Sequence, residues 1–137
     1  MTKRTSILTL LLALCMLLLL SGCFGSNTRL LQRHIGPSQH FTEAEIQAAM
    51  DLAVAQFRKG FDGCTLLTME YDESAQGKAA AGWAEDYGAD EAIILTSTFT
   101  TNGDVACFNP WDTYTGWQWI LTRDDGGRWE LRTWGYG

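Results

Sequence analysis

The chain has 137 residues, four cysteines, 10 basic and 16 acidic side chains, and a formal charge of −6 at neutral pH. Lys3 and Arg4 fall in a segment expected to be removed, so the remainder carries eight basic and sixteen acidic side chains and a formal charge of −8. A chain of that balance has no basic field for nucleic acid or an anionic lipid surface, and the 115 residues left after residue 22 are enough for one modest core.

Residues 1 to 22 form an export signal. Lys3 and Arg4 make a positive start, Ile7 to Leu20 is an apolar run of fourteen residues, and Leu20-Ser21-Gly22-Cys23 follows directly. The run is short of the roughly 20 residues that span a bilayer, and small residues precede the cysteine as a signal peptidase requires. The segment resembles the lipobox of bacterial lipoproteins, which implies cleavage before Cys23, lipidation of that residue, and a place on the extracytoplasmic face of the cell membrane. Cys15 leaves with the signal, and Cys64 and Cys107 remain as an even pair, which outside the cytoplasm reads as a disulfide.

Residues 23 to 40 lack sustained periodicity and contain Ser, Asn, Gly36 and Pro37, so they read as a tether, with Leu30, Leu31 and Ile35 placing part of it against the domain. Residues 41 to 137 then form one domain. Thr42-Glu43-Ala44-Glu45 is a capping box, flanked by Phe41 and Ile46 at the staple positions. Ile46, Ala49, Met50, Ala53 and Phe57 recur at helical spacing, and Arg58, Lys59 and a left-handed Gly60 suit the helix end. Cys64 to Tyr71 reads as a strand, and the Ala-rich stretch up to Asp86 as a second helix, with Trp83 and Tyr87 one turn apart. Ala92 to Thr101 is the central strand, ending at Asn102-Gly103, and Val105 to Thr115 is a long loop. Gly116 to Arg123 and Gly127 to Tyr136 form a hairpin. A three-residue loop with Gly126 left-handed sets Trp117, Trp119 and Leu121 opposite Thr133, Leu131 and Trp129, the register that best sorts apolar from polar.

The order helix, strand, helix, strand, hairpin predicts an α+β fold in which the N-terminal helix packs on a curved antiparallel sheet, in a cystatin-like or NTF2-like outline. Phe41-Thr42-Glu43-Ala44-Glu45-Ile46, Gly63-Cys64-Thr65-Leu66 with Tyr71-Asp72-Glu73, Tyr87 to Leu95, Trp117-Gln118-Trp119-Ile120-Leu121 and Trp134-Gly135-Tyr136 together resemble a group of uncharacterised small lipoproteins of clostridial-type gut bacteria. The resemblance covers nearly the whole mature chain and implies no catalytic or binding residue. Where those lipoproteins carry a longer acidic and glycine-rich loop, this chain has the shorter Thr101 to Phe108.

Chemistry-bearing motifs are few. His34 and His40 precede the expected domain, and a general base must be held rigidly beside its partner. Neither Gly-x-Ser-x-Gly nor His-Glu-x-x-His occurs, and no residue set points to a metal or cofactor. The pairs Asp72/Glu73, Glu85/Asp86, Asp90/Glu91 and Asp124/Asp125 sit at element ends, where capping and solvation place carboxylates. All six tryptophans lie beyond residue 82, and Trp111 and Tyr114 stand in a polar loop with no periodicity that implies burial. Phe108, Asn109, Trp111, Asp112 and Tyr114 are therefore the expected ligand contacts, aromatic faces for stacking and polar groups for direction. The expected function is non-catalytic binding of an envelope protein or glycan by a membrane-anchored domain. The alternative is a cell-envelope glycan hydrolase using surface carboxylates.

Overall fold

The computed structural model describes residues 25 to 137, so the export signal and Cys23 lie outside the described residues. The fold is α+β, with two helices and a five-stranded mixed sheet. The elements are β1 (Gln32–Ile35), α1 (Glu43–Gly60), β2 (Cys64–Tyr71), α2 (Gly77–Asp86), β3 (Glu91–Thr101), β4 (Thr113–Arg123) and β5 (Glu130–Gly135). The strands lie side by side in chain order, β1 parallel to β2 and each later pair antiparallel.

The capping box sets the start of α1. The Glu45 N–H donates to Thr42 Oγ1 at 3.3 Å while the Thr42 N–H donates to Glu45 Oε2 at 2.7 Å, satisfying two end donors at once. Ile46, Ala49, Met50, Ala53, Val54 and Phe57 face inward. They meet Leu66, Met69 and Tyr71 of β2, Ile93, Leu95 and Phe99 of β3, and Trp119 and Leu121 of β4 in the main core. At the far end the helix keeps Gly60 as its last residue, and the Phe61 N–H donates to Phe57 O at 3.1 Å. The left-handed residue is Gly63 (φ 77°), not Gly60. A Cβ there would meet the Asp104 carbonyl at 2.5 Å, so the close approach of residues 102 to 105 requires the glycine.

The opposite sheet face buries Ala92, Ile94, Ile120 and Thr122, and α2 packs against β3 and β4 there, with Trp83 and Tyr87 stacked as the one-turn spacing predicts. Where β2 ends, the side chain of Gln76 continues its ladder. Ile94 N–H donates to Gln76 Oε1 and Gln76 Nε2 donates to the Ile94 carbonyl, both at 2.8 Å. A side-chain amide thus takes the place of the missing peptide group.

Two further expectations are corrected. The sheet is mixed and not wholly antiparallel, because part of the stretch read as a tether joins it: Asn27 bridges Thr65, and β1 adds a parallel edge strand, Gln32 against Thr68 through Ile35 against Tyr71. Leu31 and Ile35 pack on the core as expected whereas Leu30 is exposed, and four residues are too few for their alternation to stand out in sequence. The hairpin register also differs, with Leu121 opposite Leu131, Ile120 opposite Thr133 and Trp119 opposite Trp134, around an irregularity between Ile120 and Leu121. Gly126 is left-handed as expected (φ 64°), but β5 begins only at Glu130, because Trp129 leaves the strand to donate its Nε1–H to the Glu45 carbonyl at 3.0 Å. The pull of the α1 start on Trp129 outweighs the sorting of apolar pairs.

Candidate functional site

The loop between β3 and β4 is held by Thr101. Its hydroxyl donates to the Asn109 carbonyl at 2.6 Å and accepts the Asp112 N–H at 2.9 Å, while its own N–H donates to the Asp112 carbonyl at 2.9 Å. Asn109 gives its N–H to Tyr114 Oη at 2.9 Å and its Nδ2 to Asp112 Oδ2 at 3.3 Å, and Asp112 Oδ1 accepts the Thr113 N–H. Phe108 and Tyr114 pack on the core, Tyr114 stacked on Phe99 with ring centroids 5.0 Å apart and Phe108 stacked on Phe61 at 5.6 Å. Of the five expected contacts, four therefore fasten the loop or fill the core. The loop closes over the end of the sheet.

Trp111 is the exception. It is 79% exposed and takes a left-handed conformation (φ 56°) just after Pro110, where such turns favour glycine or asparagine. Its N–H donates to the Asn102 carbonyl at 3.2 Å. The indole lies on Gly103, where a Cβ would come within 2.8 to 3.0 Å of three ring atoms, so glycine is needed for the ring to rest there. Thr101, Asn102 and Gly103 thus position a residue they do not resemble, and in sequence they show only as a strand end and a turn.

Expected to pair, Cys64 and Cys107 are separate thiols. Cys64 is buried, with Sγ 3.8 Å from the Asp62 carbonyl, and burial pushes its thiol up to about 11, whereas Cys107 is exposed on the loop.

His40 is not adrift in a tether. Its Nδ1 bonds the Glu73 carboxylate, whose other oxygen accepts the Gln39 N–H at 2.6 Å, and the His40 bond is the main cause of a Glu73 carboxyl held below its usual range. Ser38 stands close by, yet its Oγ accepts the backbone N–H groups of His40 and Phe41 and contacts Tyr71 Oη at 3.3 Å. The residue types of a hydrolytic triad meet here with the hydroxyl committed to the backbone and to Tyr71. His34 lies in β1.

The other polar cluster is built on Arg123, which is buried at the end of β4. Its Nη2 donates to Glu45 at 2.8 Å, its Nε to Glu91 at 2.7 Å, and its guanidinium lies 4.3 Å from the Trp129 ring centroid. Glu45 is held down at about 2, first by the Thr42 N–H and next by Arg123. Asp72 caps the turn that follows β2 through Ser74, and Asp90 accepts the Asp125 N–H. Among the described residues no group of three or more His, Cys, Asp and Glu is placed to hold a metal, and no helix is long and apolar enough to cross a membrane. No protein-family model, curated protein or solved structure matches the chain.

Proposed function

We propose that the chain is a membrane-anchored extracytoplasmic lipoprotein, lipidated at Cys23, whose single domain binds at the cell envelope and does not catalyse. Within the same reading it belongs with the uncharacterised small lipoproteins of clostridial-type gut bacteria and has a cystatin-like or NTF2-like outline. The observation that carries the binding reading is Trp111, a bulky aromatic held in solvent in a conformation that costs on the order of 1 kcal/mol, in a loop fastened by Thr101, Asn109 and Asp112. Strain kept at an exposed aromatic favours contact with something outside the chain. Of the paired carboxylates that a glycan hydrolase would draw on, Asp72, Glu73, Asp90 and Glu91 are engaged in caps, hydrogen bonds and an ion pair.

The anchor is tested by Cys23→Ser. Buried acyl chains contribute about 0.8 kcal/mol per CH₂, and stable attachment needs more than one chain or a second signal. The variant is expected in the medium, or unprocessed in the cell. A cleaved 115-residue Cys23→Ser species that still fractionates with membrane refutes lipid anchoring, and cleavage of peptidoglycan or an oligosaccharide by the purified protein refutes the non-catalytic reading.

A further inference from the structure

The point where the chain enters the fold and its most exposed tryptophan share one end of the molecule. The Asn27 N–H donates to the Cys64 carbonyl and the Leu66 N–H to the Asn27 carbonyl, both at 2.8 Å, so the chain is fixed to the start of β2 from Asn27 onward. Gly25 and Ser26 line one cavity with Gly63, Cys64 and Asn102. Asn102 is also the residue that accepts the Trp111 N–H, and its neighbour Gly103 supports the indole. Only Phe24 separates Gly25 from Cys23. Consecutive Cα atoms are about 3.8 Å apart, so the Cα of Cys23 lies within about 8 Å of that of Gly25 by any path. A lipid on Cys23 therefore holds this end of the domain at the bilayer surface, where a free tether of seventeen residues would allow a span of roughly 20 to 25 Å.

The side chains at this end suit that position. β2 starts here, β3 ends, β4 starts, and α1 and β5 end. Tyr136, 62% exposed, stacks on Tyr114 at the start of β4, and Leu30, 64% exposed, lies in the turn between Asn27 and β1. Aromatic side chains with an apolar body and a polar edge favour the headgroup level of a bilayer. The charges divide in the same sense. Arg29, Arg58 and Lys59 balance Asp62, Asp104 and Asp112 at this end, whereas the rest of the described chain holds five basic and thirteen acidic side chains. The formal charge of −8 thus belongs to the part directed away from the lipid, and the near end carries no net repulsion from anionic headgroups.

We infer that Trp111, with Tyr136 and Leu30 at the same end, is an interfacial docking surface for the bilayer that holds the Cys23 lipid. This inference rests on the lipoprotein reading and names the partner of the Trp111 surface as the membrane itself. The lipid sets the distance, and the aromatic contact sets the orientation. The hairpin, the Arg123 cluster and the His40–Glu73 pair then face the extracytoplasmic space.

The test uses the mature protein extracted from cell membranes and reconstituted into phosphatidylcholine vesicles, with and without bromine on the acyl chains. Brominated lipid is expected to quench tryptophan emission, and Trp111→Phe to remove at least half of that quenching. Trp111→Asn, whose side chain tolerates the left-handed conformation, is expected to do the same. Equal emission in both lipids overturns the docking surface, as does quenching left unchanged in both variants. Trp111 emission that ignores brominated lipid but shifts when peptidoglycan fragments are added assigns the surface to a glycan and overturns it as well. The two readings fail differently. A protein that sediments with membrane only through its lipid and shows no quenching loses the docking surface alone, whereas a protein that stays with membrane as the cleaved Cys23→Ser form loses the lipoprotein reading and the inference with it.

Discussion

Trp119 and Arg128 show how far one side chain's position decides its worth. Trp119 is 0% exposed at the centre of the main core and donates its Nε1–H to Ser97 Oγ at 2.9 Å, while Arg128 is exposed on the hairpin loop. Removing the indole takes away a large apolar surface, leaves a cavity and strips Ser97 Oγ of its donor, leaving only the long bond of that hydroxyl to the Trp117 carbonyl at 3.4 Å. Trp119→Ala is therefore expected to cost about 3 to 5 kcal/mol, and Arg128→Ala under about 0.5, in urea unfolding. Similar losses at both positions would contradict the packing. Trp111 follows the opposite logic, since its ring is outside the core and its backbone is strained.

Between elements, the join of β2, α2 and β3 depends on one amide. Gln76 fills both hydrogen-bonding positions of Ile94 that β2 leaves open, in a buried setting where an unpaired group costs about 1 to 3 kcal/mol. Gln76→Ala should lower stability by about 2 to 4 kcal/mol and make the Ile94 amide exchange with solvent far faster than its neighbours on β3. Wild-type protection of that amide in the variant would show that water or a shift of α2 replaces the side chain. Nothing local signals this role: Gln76 lies in a polar stretch between strand and helix, and its partner is 18 residues away.

Across the whole molecule, Arg123 ties the start of α1 to β3, β4 and the hairpin through Glu45, Glu91 and Trp129. Both carboxylates are about a third exposed, so Arg123→Met should cost about 1 to 3 kcal/mol at neutral pH, less than a fully buried pair. The acid response has a defined sign. The Glu45 carboxyl titrates at about 2 in the fold against an ordinary 4.5, so the unfolded chain binds the extra proton first. Its contribution is complete above about pH 4.5 and is lost as pH falls toward 2. In Arg123→Met the Glu45 titration, followed by side-chain carbon shifts in NMR, should move upward while staying below 4.5, because the Thr42 N–H still donates to the carboxylate. A titration identical to wild type would remove Arg123 from that account.

The sequence by itself determined what depends on neighbours in the chain. The α1 start follows from Thr42 and Glu45 three residues apart, its buried face from a 3.6-residue period, and the left-handed Gly126 from a local turn. The α+β class follows from the order of such elements. Only the tertiary structure decided the rest, because each deciding contact joins distant residues. The parallel strand β1 exists because Thr68 to Tyr71 offer it an edge, and the hairpin register yields to Trp129 reaching Glu45, 84 residues away. The expected site divides for the same reason: Phe108 and Tyr114 find Phe61 and Phe99 to pack on, while Trp111 rests on Gly103 and keeps its surface in solvent.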